Sequence, residues 1–283
     1  MRIALSGASG LVGRWIARAI RAAGHDLHLL KRPEWHLGDG PDLNGCDALI
    51  HAAFQHVPGR YRGGEGDDPQ GFVAANLDGS TRLFRAARDC GVGRVVFLSS
   101  RAVHDGHPAG MALADDLTPA PTTLYGQIKT RTEAALADMA GPDFRTASLR
   151  PTGVYGPGLP QKWAALIAGF LAGQTPAPAV TTEVHGADLA DAALRVLADP
   201  NMAGSYNVGD LVLDRRDLLK GVARLTGCAT PLPPRADSAP LRVPLCARLR
   251  GLGWRPGGMG RLDRALPGII GDIMPDDMTA RRG

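Results

Sequence analysis

Short apolar runs alternate with stretches of helical period through the first 150 residues, a pattern that predicts βαβ units and therefore a parallel sheet. The predicted strands are Arg2 to Leu5, Asp26 to Leu30, Asp47 to His51, Arg94 to Ser99 and Arg145 to Leu149. Between the first two, Val12, Ile16 and Ile20 recur at helical spacing beside Leu11, Trp15 and Ala19, and Gly24 stands where the helix should stop. A second helical run begins at Tyr125 and ends at Gly141-Pro142. The segment Pro33 to Gly45 is rich in Gly, Pro and Asp and too short for a strand, helix and return, so one peripheral helix is expected to be missing.

After Pro151 the alternation loosens. Pro176, Pro178, Pro231, Pro233, Pro234 and Pro240 interrupt the chain, with a helix expected over Asp188 to Ala198. The fold class is therefore α/β: a doubly wound, parallel Rossmann-type sheet with a smaller mixed α/β substrate lobe on the C-terminal side. In domain terms, residues 1–150 should form the sheet domain, 183–204 should return to it, and 151–283 should mainly form the lobe. The polar run from Gln55 to Gln70 is long for a connection, which marks it as functional or mobile. The tail Pro275 to Gly283 is polar and expected to fray.

Composition changes this picture little. Hydrophobic residues make up 44% and charged residues 21% of the chain, ordinary for a globular enzyme. The net charge of +4 is spread along the sequence, with no basic run to track a phosphate backbone, so no nucleic-acid partner is expected. No run of about 18 apolar residues suggests a membrane span, and no leader pattern opens the chain. A cytoplasmic protein is the expectation. Cys46, Cys90, Cys228 and Cys246 show no metal-ligand or disulfide spacing and should be reduced thiols. His51, His56, His104, His107 and His185 are not spaced as a ligand set, so no metal is expected.

Candidate chemistry begins at Gly7-Ala8-Ser9-Gly10-Leu11-Val12-Gly13, which closes the first strand and opens the first helix. In that context glycines let the backbone approach a pyrophosphate, Gly13 lets the helix pack closely, and the helix amides receive negative charge. Ser9, Leu11 and Val12 belong to the same cofactor turn. The second strand ends in Leu30-Lys31-Arg32, where a cofactor without a 2′-phosphate would meet an acidic side chain. Two cations suit a 2′-phosphate, which points to NADP, with NAD as the other possibility. Tyr125 and Lys129 are four apart on one helix face and can share a proton network. A phenol titrates near ~10, but an adjacent ammonium and an oxidised nicotinamide both favour the phenolate. Ser99 and Ser100 end the fourth strand; Ser100 could bond the reacting oxygen, while Ser99 is read as satisfying strand-end backbone.

These pieces together resemble the extended short-chain dehydrogenase/reductases, in their epimerase/dehydratase branch. The resemblance runs through Gly7 to Gly13, His51-Ala52-Ala53, Asn76 to Ser80, Leu98-Ser99-Ser100, Tyr125 to Lys129, Leu149 to Pro157 and Leu252 to Pro256. It implies that Ser100, Tyr125 and Lys129 form the catalytic triad, that Lys129 also holds the nicotinamide ribose, and that Ala52, Ala53 and Asn76 border the cofactor. It implies hydride transfer at a secondary alcohol or ketone carbon of a small-molecule substrate. A nucleotide-sugar epimerase or dehydratase with retained NAD and a non-catalytic NADP-binding redox sensor are the alternatives; a homodimer is compatible with each. Lys31 replaces the Asp of NAD-using members, in keeping with NADP. Gly153 replaces an Asn that binds the sugar diphosphate in many nucleotide-sugar epimerases, and the short Pro33 to Gly45 segment leaves Asp39 as the nearest adenine contact. Arg60 and Arg62 are read as solvated loop charges that could clamp an anion, and Trp163 and Trp254 as lobe packing.

Overall fold

The computed structural model describes residues 1–57 and 64–274. Arg60, Arg62 and the tail lie outside the described residues. The chain runs β1 (Arg2–Ser6), α1 (Gly13–Ala22), β2 (Asp26–Leu30), β3 (Ala48–His51), α2 (Pro69–Val73), a π-helical turn (Ala74–Asp78) and α3 (Gly79–Asp89). It continues through β4 (Arg94–Leu98), a 3-10 turn (Arg101–His104), β5 (Ala112–Leu113), α4 (Leu124–Ala137), β6 (Arg145–Pro151) and β7 (Gly153–Tyr155). The remainder is α5 (Ala164–Leu171), β8 (Val180–His185), α6 (Gly186–Ala198), β9 (Gly204–Val208), β10 (Leu211–Asp214), α7 (Arg215–Thr226), β11 (Val243–Pro244), α8 (Ala247–Gly251) and α9 (Gly258–Gly271).

Six strands form one sheet in the order β2-β1-β3-β4-β6-β9, and every neighbouring pair is parallel. The five strands expected from the pattern are all in it. The period of two along each strand divides the core. Ile3, Leu5, Ile50, Val96 and Leu149 pack on one face with Ile16 and Ile20 of α1 and Leu189 and Val196 of α6. Ala4, Leu49, Val95 and Phe97 face the other way, against Leu83 and Phe84 of α3 and Leu136 of α4. Each such fully buried Leu, Ile or Phe contributes about 1.5–3 kcal/mol by transfer from water. The 33–45 stretch adds no helix; Trp35 and Leu43 instead bury themselves in the second cluster.

Two elements depart from the pattern. Strand β9 carries Gly204, Ser205 and Asn207, so its sequence lacks an apolar run; it is held at the sheet edge by pairing with β6 and by Asn207, whose N–H donates to Asp115 Oδ1 at 2.6 Å. Trp254, expected in the lobe, lies fully buried in the main core, donating Nε1 to the Asp188 carbonyl at 2.9 Å. The segment around α8 folds back on α6 and β9, which carries the indole there. The lobe itself is a three-stranded sheet, β10-β8-β7, packed on α5, α7 and α9 around Tyr155, Phe170, Leu219 and Leu266. Trp163 stacks on Tyr155 there, centroids 5.2 Å apart.

Candidate active site

The order of the sheet creates the site. The chain leaves β1 for β2 on one side and resumes at β3 on the other, so a crevice opens beyond the C-terminal ends of β1 and β3. The glycine turn sits there. Gly7 has φ +74°, and a Cβ built on it would lie 2.5 Å from Ala53 N and 2.7 Å from the Ala52 carbonyl carbon. A Cβ on Gly13 would overlap the Gly7 carbonyl. Both glycines are thus demanded by the protein's own packing. Gly10 is different: a Cβ there would meet only the Gly7 oxygen, at 3.4 Å, so the space beyond it is left open. Helix α1 has no side-chain cap and no acidic residue in its first turn. An open glycine cradle at a helix N-terminus that no side chain caps fits a diphosphate. Ser9 is exposed, Leu11 half-buried, and Val12 packs against the core. Lys31 and Arg32 are exposed and directly follow Leu30, the residue paired with Ser6.

Beneath the crevice lies a polar relay that spacing alone did not reveal. His51 Nδ1 is 2.6 Å from Ser6 Oγ, and its Nε2 is 2.9 Å from Ser80 Oγ. The Ser80 hydroxyl donates to the Asn76 carbonyl, so it must accept from His51 Nε2–H, and Ser6 donates to Nδ1. Burial and the Lys129 charge push His51 down to about 3, in keeping with a neutral ring. Asn76 is wholly engaged: its Oδ1 accepts from Gln55 N at 2.7 Å, and Nδ2 donates to the Gln55 and Phe72 carbonyls. It therefore shapes the turn after Ala52 and Ala53 through Gln55.

Helix α4 brings the other groups. Thr123 caps it, its Oγ1 accepting from Gly126 N at 3.2 Å. A Cβ on Gly126 would lie 2.8 Å from the Ala102 carbonyl, so this glycine lets the helix approach the turn that follows Ser100. Lys129 is 4% exposed; its Nζ donates to the Leu98 carbonyl at 2.7 Å and lies 4.4 Å and 4.7 Å from the ring centroids of Phe54 and Phe97. Burial lowers this lysine to about 7, with Glu133 one turn along opposing the shift. Phe54 also meets Tyr125 edge to face, centroids 5.1 Å apart, and Lys129 Nζ is 5.9 Å from the tyrosine ring. Phe54 was not among the expected site residues; its only signal was its place directly after Ala52-Ala53. Ser100 Oγ accepts from Ala102 N at 3.1 Å, which leaves its own proton to donate. The reading of Ser99 does not hold: among the described residues its buried Oγ has no hydrogen-bond partner, and it is Ser100 that also caps the backbone. The strand-end turn directs the later hydroxyl, not the earlier one, at the available amide.

On the lobe side, Gly153 makes room for an ion pair. A Cβ there would lie 2.5 Å from Glu183 Oε2 and overlap Lys162 Nζ, and these two side chains are bonded to each other. Among the described residues no group of three or more His, Cys, Asp or Glu is placed to hold a metal, and no helix is long and apolar enough to cross a membrane.

A model of the NAD dependent epimerase/dehydratase family matches residues 3–209. The chain belongs to that family. Within the NAD dependent epimerase/dehydratase family, a UDP-glucose 4-epimerase of Lacticaseibacillus casei is 26% identical over 310 aligned positions, 90% of this chain and 92% of that one. A 4-hydroxy-2-methyl-3-oxo-4-farnesyl-3,4-dihydroquinoline-1-oxide ketoreductase of Stigmatella aurantiaca is 30% identical over 179 positions, 55% of this chain and 51% of that one. This chain thus spans about half the length of the ketoreductase. The solved UDP-glucose 4-epimerase of Thermus thermophilus, in complex with NAD, superposes with a TM-score of 0.75 at 25% identity, covering 96% of this chain and 99% of that one.

Proposed function

We propose that this member of the family interconverts a secondary alcohol and a ketone, with NADP as its preferred cofactor. One observation carries the reading: the Lys129 ammonium, buried against two aromatic faces, donates one of its three N–H bonds to Leu98 and lies beside Tyr125 on the same helix. A buried cation with donors to spare is costly unless another acceptor arrives. The nicotinamide supplies the hydride acceptor or donor. Tyr125 takes or gives the hydroxyl proton, Lys129 favours the phenolate and offers its remaining donors to a ribose, and the Ser100 hydroxyl polarises the carbonyl. Gly7, Ser9, Gly10, Leu11, Val12, Gly13, Ala52 and Ala53 border the cofactor in this reading, with Asn76 acting through Gln55. Lys31 and Arg32 pair with the 2′-phosphate. Residues 1–150 with 183–204 hold the cofactor, and 151–283 mainly serve the substrate. Four unpaired thiols support a cytoplasmic location. The Lys162–Glu183 ion pair, filling the space that Gly153 leaves, supports a substrate without a diphosphate.

A nucleotide-sugar epimerase with retained NAD is the second reading, favoured by the likeness to a UDP-glucose 4-epimerase across 90% of the chain. Thermal-shift titration separates them: NADPH should stabilise the protein more than NADH does, by mass action on the folded state. Protein that purifies with tightly held NAD and turns none over would support the epimerase instead. In the oxidoreductase reading, Tyr125→Phe is expected to lower kcat by roughly 10²–10⁴ while the cofactor Kd stays put; full turnover by that variant would refute the assignment.

A further inference from the structure

Arg14 is the second residue of α1, immediately after the glycine that seats this helix on the Gly7 turn. A cation in a first turn stands at the positive end of the helix dipole, which disfavours it. Carbonyls from the lobe compensate. Arg14 Nη1 donates to the Leu159 carbonyl at 2.6 Å, and Nη2 donates to those of Gly158 and Pro157 at 2.9 Å and 3.2 Å. These contacts span at least 143 positions of sequence. Gly158 has φ +107°, and a Cβ on it would lie 2.6 Å from Arg14 Nη1, so only glycine suits the turn twice over.

The next residue grips the same turn with apolar surface. Trp15 packs edge to face on His185, centroids 4.9 Å apart, and a Cβ on Gly156 would lie 2.8 Å from its indole. A Cβ on Gly186 would overlap it. From the far side, Asp272 Oδ2 accepts from Gly158 N at 2.5 Å and from Gln161 Nε2 at 3.1 Å. The turn after β7 is therefore held between the end of α9 and the helix whose amides face the cofactor crevice.

We infer that Arg14 is a latch: it holds the 156–159 turn of the lobe against the dinucleotide turn, and this closure governs how fast the cofactor leaves. The inference rests on the functional reading above. Guanidinium stays charged at every accessible pH. An anion at the α1 amides offsets the dipole's opposition to Arg14, so a bound cofactor and a closed turn favour one another, and by linkage each strengthens the other equally. Arg14 is a positioning residue in this scheme, acting through the turn it holds.

Stopped-flow displacement of NADPH by excess NADP, read as loss of nicotinamide fluorescence, tests it. Arg14→Ala is expected to release NADPH roughly tenfold faster than the unaltered protein, since losses of this kind appear mostly in the off-rate. Arg14→Lys, a point charge in place of a fork, should fall between. Gly158→Ala breaks the same contact while leaving Arg14 in place and should reproduce the fast release. In the unaltered protein, NADPH should slow hydrogen exchange of the 156–161 amides; if Arg14→Ala does not fold, this measurement and Arg14→Lys decide the matter. Unchanged release in the folded variants, or exchange indifferent to NADPH, overturns the latch alone. Absence of any NADPH signal from the unaltered protein overturns the functional reading, and the latch with it.

Discussion

The three glycines of the fingerprint have different reasons to be glycine. Gly13 is required by the Gly7 carbonyl, whereas Gly10 meets little of the protein itself. Gly13→Ala should therefore lose about 1–3 kcal/mol of stability from overpacking, and Gly10→Ala should keep the stability of the parent while weakening cofactor affinity; chemical denaturation and fluorescence titration distinguish the two. Lys129 yields a second test at this scale. Its folded value is about 7 against an ordinary 10.5, so between those limits the unfolded chain holds a proton that the folded chain has shed. Stability then rises with pH through that window, and the burial penalty is felt in full below pH 7. Lys129→Met keeps a long side chain over Phe54 and Phe97 without the charge. Its gain in Tm over the parent should be largest near pH 6 and fade towards about pH 10, while turnover is lost. A gain that is constant with pH would show that the ammonium is not its source.

At the scale of elements, α4 is anchored to β6 by a buried ion pair. Arg150 Nη2 donates to Glu133 Oε2 at 2.6 Å and its Nε reaches both carboxylate oxygens, while Nη1 meets His104 Nε2 at 3.2 Å. Glu133→Gln leaves a buried guanidinium without its counter-charge and should cost about 3–5 kcal/mol, measured by urea unfolding; a cost below about 1 kcal/mol would mean that water reaches the pair. The expected strands emerged within a residue or two because each is short, carries apolar residues for a buried face and lies between turn residues. Strand β9 could not be read this way, since Gly204, Ser205 and Asn207 interrupt its apolar pattern; Tyr206 and Val208 enter the main core, and pairing with β6 and the Asn207–Asp115 bond hold the rest.

Across the whole molecule, three histidines are buried as neutral rings in three different regions. His51 is pushed down to about 3, and His104 and His185 to about 4, mainly by desolvation, from an ordinary 6.5. Each takes up its proton only on unfolding, so stability falls as pH drops from 6.5 towards those values. Unfolding near pH 5 should bind about three protons through these groups, checked by calorimetry in buffers of differing ionisation enthalpy. Uptake near zero would mean that the rings are solvated or already charged.

What the sequence alone determined is what local spacing encodes: the βα alternation, the glycine turn after the first strand, and a tyrosine and lysine one helical turn apart. Those follow from periods of two and 3.6 and from backbone freedom at glycine. Only the tertiary structure decided that Phe54 lies under Lys129, that Gly126 lets α4 approach the turn after Ser100, that Trp254 belongs to the main core, and that Arg14 reaches the lobe. Each of these joins residues far apart in the chain, and such contacts are set by how the sheet and lobe pack rather than by any nearby pattern.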